Sequence, residues 1–82
     1  MAPKPRRIAA RPDPEDWMED ELLTLPEAAA LFWPEGKPVS ASSLRRCYRA
    51  GTLEVVLIAR KLLTTKRAIY AMIEASRRKA SA

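Results

Sequence analysis

A chain of 82 residues with a net charge of +5 has room for one small domain and a surface suited to an anionic partner. Its single cysteine, Cys47, and its lack of histidine exclude a disulfide framework and the usual zinc patterns. No apolar run approaches the ~18 residues of a membrane span, and the N-terminus lacks a secretory apolar core, so a soluble, cytoplasmic protein is expected.

Residues 1–12 carry Lys4, Arg6, Arg7 and Arg11, no acid, and three of the seven prolines. This composition reads as a disordered basic arm, either a plain solvated terminus or one that follows a phosphate backbone. Residues 13–21 reverse the sign with Asp13, Glu15, Asp16, Glu19, Asp20 and Glu21. Asp13-Pro14-Glu15-Asp16 has the form of a helix start, with a capping Asp, Pro at the first helical position and acids in the first turn. Trp17 and Met18 then offer an anchor. They can cover the edge of a small core, or dock the acidic segment on a neighbouring protomer.

Thr24 and Glu27 form a T-x-x-E capping box at the head of a helix. Leu25, Ala28, Ala29 and Phe32 give it one buried stripe. Pro34 stops it, and Trp33-Pro34-Glu35-Gly36-Lys37-Pro38 makes a rigid turn.

Val39 to Gly51 is the most informative stretch. Ser40 is a good N-cap, Val39 and Leu44 fit a hydrophobic staple, and Gly51 stands where a left-handed C-terminal residue is wanted. At about 100° per residue, Leu44, Cys47, Tyr48 and Gly51 share one side. Ser42, Arg46 and Arg49 share the other, with Arg45 on a flank. A face of hydroxyls and guanidiniums suits a DNA major groove, because Arg bonds two acceptors of guanine at once and Ser reaches a base or a phosphate. An amphipathic helix with arginines on its wet face also occurs in proteins that never touch DNA.

Leu53-Glu54-Val55-Val56-Leu57-Ile58 reads as a strand, and Lys61-Leu62-Leu63 as its return, with Ala59-Arg60 near the tip. Tight hairpin turns favour Gly or Asn, which are absent here, so a tip longer than two residues is expected. Arg60 and Lys61 either meet phosphates or keep an apolar hairpin soluble. Thr65 or Thr64 caps a last helix whose core positions are Ile69, Met72 and Ile73, continued by Ser76. Lys66 and Arg67 oppose the dipole in its first turn, which suggests either a nearby anion or a solvated charged face. Arg77, Arg78 and Lys79 begin a basic tail.

The order is helix, turn, Arg-bearing helix, hairpin, helix. With Leu22-Leu23-Thr24 and Glu27-Ala28-Ala29, Val39-Ser40, Arg49-Ala50-Gly51-Thr52-Leu53 and Val55 to Lys61, it resembles the excisionase-like winged-helix DNA-binding domains, relatives of the MerR-type reader head. The resemblance covers residues 22–76 and is most specific from Val39 to Leu53. It implies a mainly α fold with a small β-hairpin: a winged helix-turn-helix of three helices plus a wing. It further implies Ser42, Ser43, Arg45, Arg46 and Arg49 in the major groove and Arg60 and Lys61 on the wing, with phosphate contacts near helix starts from Thr24, Ser40, Lys66 and Arg67. The chain departs from the family in its long two-proline turn and in Ala59, where a wing glycine is frequent.

Small basic members of that family resemble recombination directionality factors of phages and integrative elements. They bind repeated sites, bend DNA and bias a tyrosine integrase toward excision. The expected organisation is a basic arm and acidic segment over 1–21, flexible or docked on a partner, a DNA-binding domain over 22–76, and a basic tail over 77–82. The expected partners are double-stranded DNA, further copies head-to-tail on that DNA, and an integrase, in the bacterial nucleoid. No cofactor, metal or small-molecule substrate is expected. An enzyme is disfavoured, since no His serves as base and no carboxylate pair stands at catalytic spacing in the folded block. Two other readings stay open. One is a small winged-helix transcription regulator, against which stands the lack of a long dimerisation helix after residue 76. The other is a protein-interaction module for an acidic partner.

Overall fold

The computed structural model describes residues 4–77, which form four α-helices, one short 3-10 turn and a three-stranded antiparallel sheet. In chain order these are α1 (Arg6–Ala10), the 3-10 turn (Pro14–Asp16), β1 (Leu23–Thr24), α2 (Leu25–Phe32), α3 (Ala41–Arg49), β2 (Val56–Ile58), β3 (Lys61–Thr64) and α4 (Lys66–Ala75). The expected tail beyond Arg77 lies outside the described residues, as do residues 1–3.

Three helix starts follow from local chemistry. Thr24 accepts from the Glu27 N–H at 3.2 Å while Glu27 Oε1 accepts from the Thr24 N–H at 2.9 Å, which completes the capping box of α2. Ser40 Oγ accepts from the Ser43 N–H, and Thr65 does the same for Ala68 at the head of α4. Gly51, at φ +83°, ends α3 in a Schellman arrangement: its N–H bonds Tyr48 O, and the Thr52 N–H bonds Cys47 O at 2.9 Å.

The core joins Leu23, Leu25, Ala28, Leu31, Leu44, Leu53 and Ile69 with Ile8 and Trp17. Ile8 overturns the expectation of a disordered basic arm, and Trp17 takes the reading in which it covers the core. Ile8 is 1% exposed on α1, and Trp17 is buried, so both serve the core of their own chain. Five residues of helix are too few to be stable alone, and the docking of Ile8 supplies what local hydrogen bonds cannot. Arg11 completes the packing. Its guanidinium carbon lies 3.8 Å from the Trp17 ring centroid, Trp17 Nε1 donates to Arg11 O at 2.8 Å, and Arg11 Nη2 bonds Glu21 Oε1 at 2.8 Å. The two segments therefore meet through one ionic cluster, in which Arg11 and Arg7 both approach Glu21. Of the pair expected at a protomer contact, Trp17 is buried within the chain and only Met18 is exposed.

The sheet has the order β1-β3-β2, so the expected hairpin gains a third strand. Leu23 pairs with Thr64 and Thr24 with Leu63. Leu23 and Thr64 are opposite one another and both buried, which holds the sheet to the helices. The strand expected from Leu53 begins only at Val56; Leu53 itself turns into the core. Ile58 pairs with Lys61, so the tip is the two residues Ala59 and Arg60, not a longer loop. Both hold positive φ, +50° and +67°, the left-handed backbone that a two-residue hairpin turn requires. Among the described residues no helix is long and apolar enough to cross a membrane.

Candidate nucleic-acid interface

Helices α2 and α3 and the β2–β3 hairpin meet at a cleft of about 410 Å³ lined by Thr24, Leu25, Pro26, Arg45, Arg60, Lys61 and Leu62. Four of its lining residues were singled out in the sequence: Thr24 at the head of α2, Arg45 from α3, and Arg60 and Lys61 from the hairpin tip. The two-residue turn carries that tip, and the pairing of Ile58 with Lys61 fixes where both cations project. The first turn of α2 forms the remaining wall, with its capping Thr24 at the rim.

The other residues expected on the reading face of α3 divide. Ser42, Arg46 and Arg49 are exposed and lie outside this cleft. Ser43 is half-buried, and its hydroxyl stands 3.2 Å from that of Ser40, so the two serines serve the start of the helix. Tyr48, placed with the apolar side by periodicity, is partly exposed, whereas Leu44 is fully buried.

Of the expected phosphate contacts, Lys66 is contradicted. It is 8% exposed, and its ammonium donates to Pro14 O at 2.9 Å and Trp17 O at 3.3 Å. In place of the anion suggested by a cation in that first turn, two neutral backbone carbonyls of the folded-back N-terminal segment hold the ammonium. Arg67 lies in a separate groove with Asp20 and Glu54, and Nη2 reaches Glu19 Oε2 at 3.4 Å. An acidic surrounding of this kind does not favour a phosphate. Thr24 and Ser40 are engaged as caps.

The cations thus fall into two sets. Arg7 bonds Glu27 Oε1 at 3.2 Å, Arg11 bonds Glu21, Arg67 bonds Glu19, Arg77 bonds Glu74 at 2.9 Å, and Lys66 holds carbonyls. Arg45, Arg46, Arg49, Arg60 and Lys61 are exposed and make no ion pair among the described residues. Lys4, Arg6 and Lys37 are also unpaired there, but none of them lines the cleft between α3 and the hairpin. The acids of residues 13–21 are likewise divided. Glu21 is held by Arg11, whose hydrogen bond lowers its pKa below the ordinary 4.5; the Met18 N–H and the charge of Arg7 act in the same direction, against partial desolvation. Asp13, Glu15, Asp16 and Asp20 are exposed and make no ion pair among the described residues.

Sequence reasoning singled out Thr24 but missed Leu25, Pro26 and Leu62 as parts of this surface. The capping box located the helix start, but only the pairing of β1 with β3 brings that start beside the hairpin. No group of His, Cys, Asp and Glu among the described residues is arranged to hold a metal ion. No protein-family model, curated protein or solved structure matches the chain.

Proposed function

We propose that the protein binds double-stranded DNA as a winged helix-turn-helix, with α3 in the major groove and the β2–β3 hairpin as the wing. The observation that carries this reading is the sorting of the cations. The arginines of α3 and the two cations at the hairpin tip have no acid partner among the described residues, while Arg7 of α1, Arg67 of α4 and Arg11 are paired with glutamates and Lys66 is held by backbone carbonyls. Arg45, Arg60 and Lys61 border one concave surface, as a duplex backbone requires.

In this arrangement Ser42, Arg46 and Arg49 face base edges, and Arg45, Arg60 and Lys61 hold phosphates on either side. The mechanism is binding and bending, with no covalent step. Bending a short site costs on the order of 1–6 kcal/mol, which one small domain offsets poorly and several protomers offset together. Asp13, Glu15, Asp16 and Asp20 remain open to the cations of a neighbour, which supports head-to-tail occupancy of direct repeats. The biological role proposed is that of an excisionase, a recombination directionality factor acting with a tyrosine integrase.

The test is to incubate the purified protein with fragmented DNA of its source genome at physiological salt and to sequence what it retains. Enrichment of closely spaced direct repeats beside an integrase gene is the expected result. Promoter palindromes would move the role to transcription regulation, and no enrichment over bulk DNA would overturn the DNA reading.

A further inference from the structure

The hairpin is tipped with cations, yet its outer strand is apolar and uncovered. Val56, Leu57 and Ile58 are 42%, 65% and 47% exposed, in a strand at the edge of the sheet. Exposed apolar edge strands are an aggregation liability unless a partner covers them. Leu57 is the most exposed of the three and sits directly opposite Leu62. Residues directly opposite in an antiparallel pair point to the same face. Leu62 is partly packed against the core and lines the cleft with Arg45, Arg60 and Lys61. Leu57 therefore extends the apolar floor of the cationic cleft out along the hairpin, past the point where the core supports it.

We propose that Leu57 is an apolar wedge for DNA: it seats in the minor groove against sugars and base edges and props the groove open, while Arg60 and Lys61 hold the phosphates beside it. This inference rests on the DNA reading and adds to it the residue that deforms the duplex. Apolar side chains inserted in this way unstack a base step and bend the DNA toward the major groove. The alternative occupant is a second copy of the chain paired along β2. The surroundings favour DNA, because the cations that line the cleft with Leu62, the cross-strand partner of Leu57, make no ion pair among the described residues, and a second copy would bring the same cations to the contact.

The test uses the full chain, a duplex recovered by the genomic selection with dyes at its two ends, and two variants. Leu57 is mostly exposed, so neither Leu57→Ala nor Leu57→Lys removes core packing. Leu57→Ala is expected to bind about tenfold more weakly, as loss of most of one buried leucine implies, and to leave the duplex straighter by energy transfer between its ends. Leu57→Lys separates a wedge from a purely electrostatic contact. It adds a cation beside phosphates, so a charge-only hairpin would bind more tightly with a steeper salt dependence; the wedge predicts weaker binding and a lost bend. Unchanged affinity and bend in Leu57→Ala would overturn the wedge and leave the DNA reading standing. If the selection recovers no duplex, both fall together. Sedimentation of the free protein supplies the other arm: a dimer dissolved by Leu57→Lys would make β2 an interface between copies and overturn the proposal.

Discussion

Replacing Ile8 with Ala tests whether the first helix is part of the domain. Ile8 is 1% exposed and packs with Trp17, Leu23 and Leu25 in the central cluster. The substitution removes about three methylene equivalents at ~0.8 kcal/mol each, and a cavity adds to that, so the expected cost is about 2–4 kcal/mol. A domain of this size holds roughly 5–10 kcal/mol in total, so the loss is a large fraction. The upper bound is the docking energy of α1 itself, because five residues of helix have no independent stability to lose. Urea unfolding followed by fluorescence is the assay. Trp17 reports directly, being hydrogen-bonded to Arg11 O and covered by its guanidinium. A midpoint shift with unchanged slope indicates lost stability of an intact fold, and a lower slope indicates that α1 has detached. A change below about 0.5 kcal/mol, the level of an ordinary surface substitution, would refute the reasoning and return residues 4–12 to a solvated arm.

Lys66→Met keeps most of the side-chain volume but removes the ammonium from two carbonyls; it is expected to cost about 1–3 kcal/mol in urea unfolding while leaving the salt dependence of DNA binding untouched. Arg49→Ala should do the reverse, with stability unchanged and a loss of about 1–3 kcal/mol in DNA affinity concentrated at one base pair; uniform weakening across sequences would reassign it to phosphate. Because Glu21 has a lowered pKa in the fold, its contribution is fully present above the ordinary value of 4.5 and is lost as the pH falls from there through the folded value. Glu21→Gln should therefore flatten the acid limb of the stability curve, and an unchanged limb would place the sensitivity elsewhere. Ala59 has a φ of +50°, so Ala59→Gly relieves about 1–2 kcal/mol of left-handed strain against an entropic cost of about 0.5–1 kcal/mol. A thermal melt should show a small rise in stability at position 59 and a fall for Ala9→Gly, whose helical backbone gains nothing from glycine.

Features encoded within a few residues of each other were legible in the sequence. Thr24 with Glu27, Ser40 with its first turn, Thr65 with Ala68 and the glycine after α3 each satisfy backbone groups that lie at most a few positions away. Their hydrogen bonds depend on residue type and spacing alone, and both can be read off the chain. The exposure of Arg46 and Arg49 follows in the same way from helical period and from Leu44 on the opposite side.

Contacts between residues distant along the chain were decided by the tertiary structure. Composition marks residues 4–12 as a basic, proline-rich tail, yet a single isoleucine outweighs that mean once Trp17 and the acids of the next segment stand opposite it. Lys66 looks like any first-turn cation until carbonyls 49 and 52 positions earlier replace water as acceptors for its ammonium. A two-residue β1 carries no periodic signal, and it is a strand only because β3 pairs with it. That same pairing sets the α2 N-terminus beside the hairpin and so builds the cleft. Residue type determined which side chains can carry charge to a partner; long-range packing determined which of those charges were left free to do so.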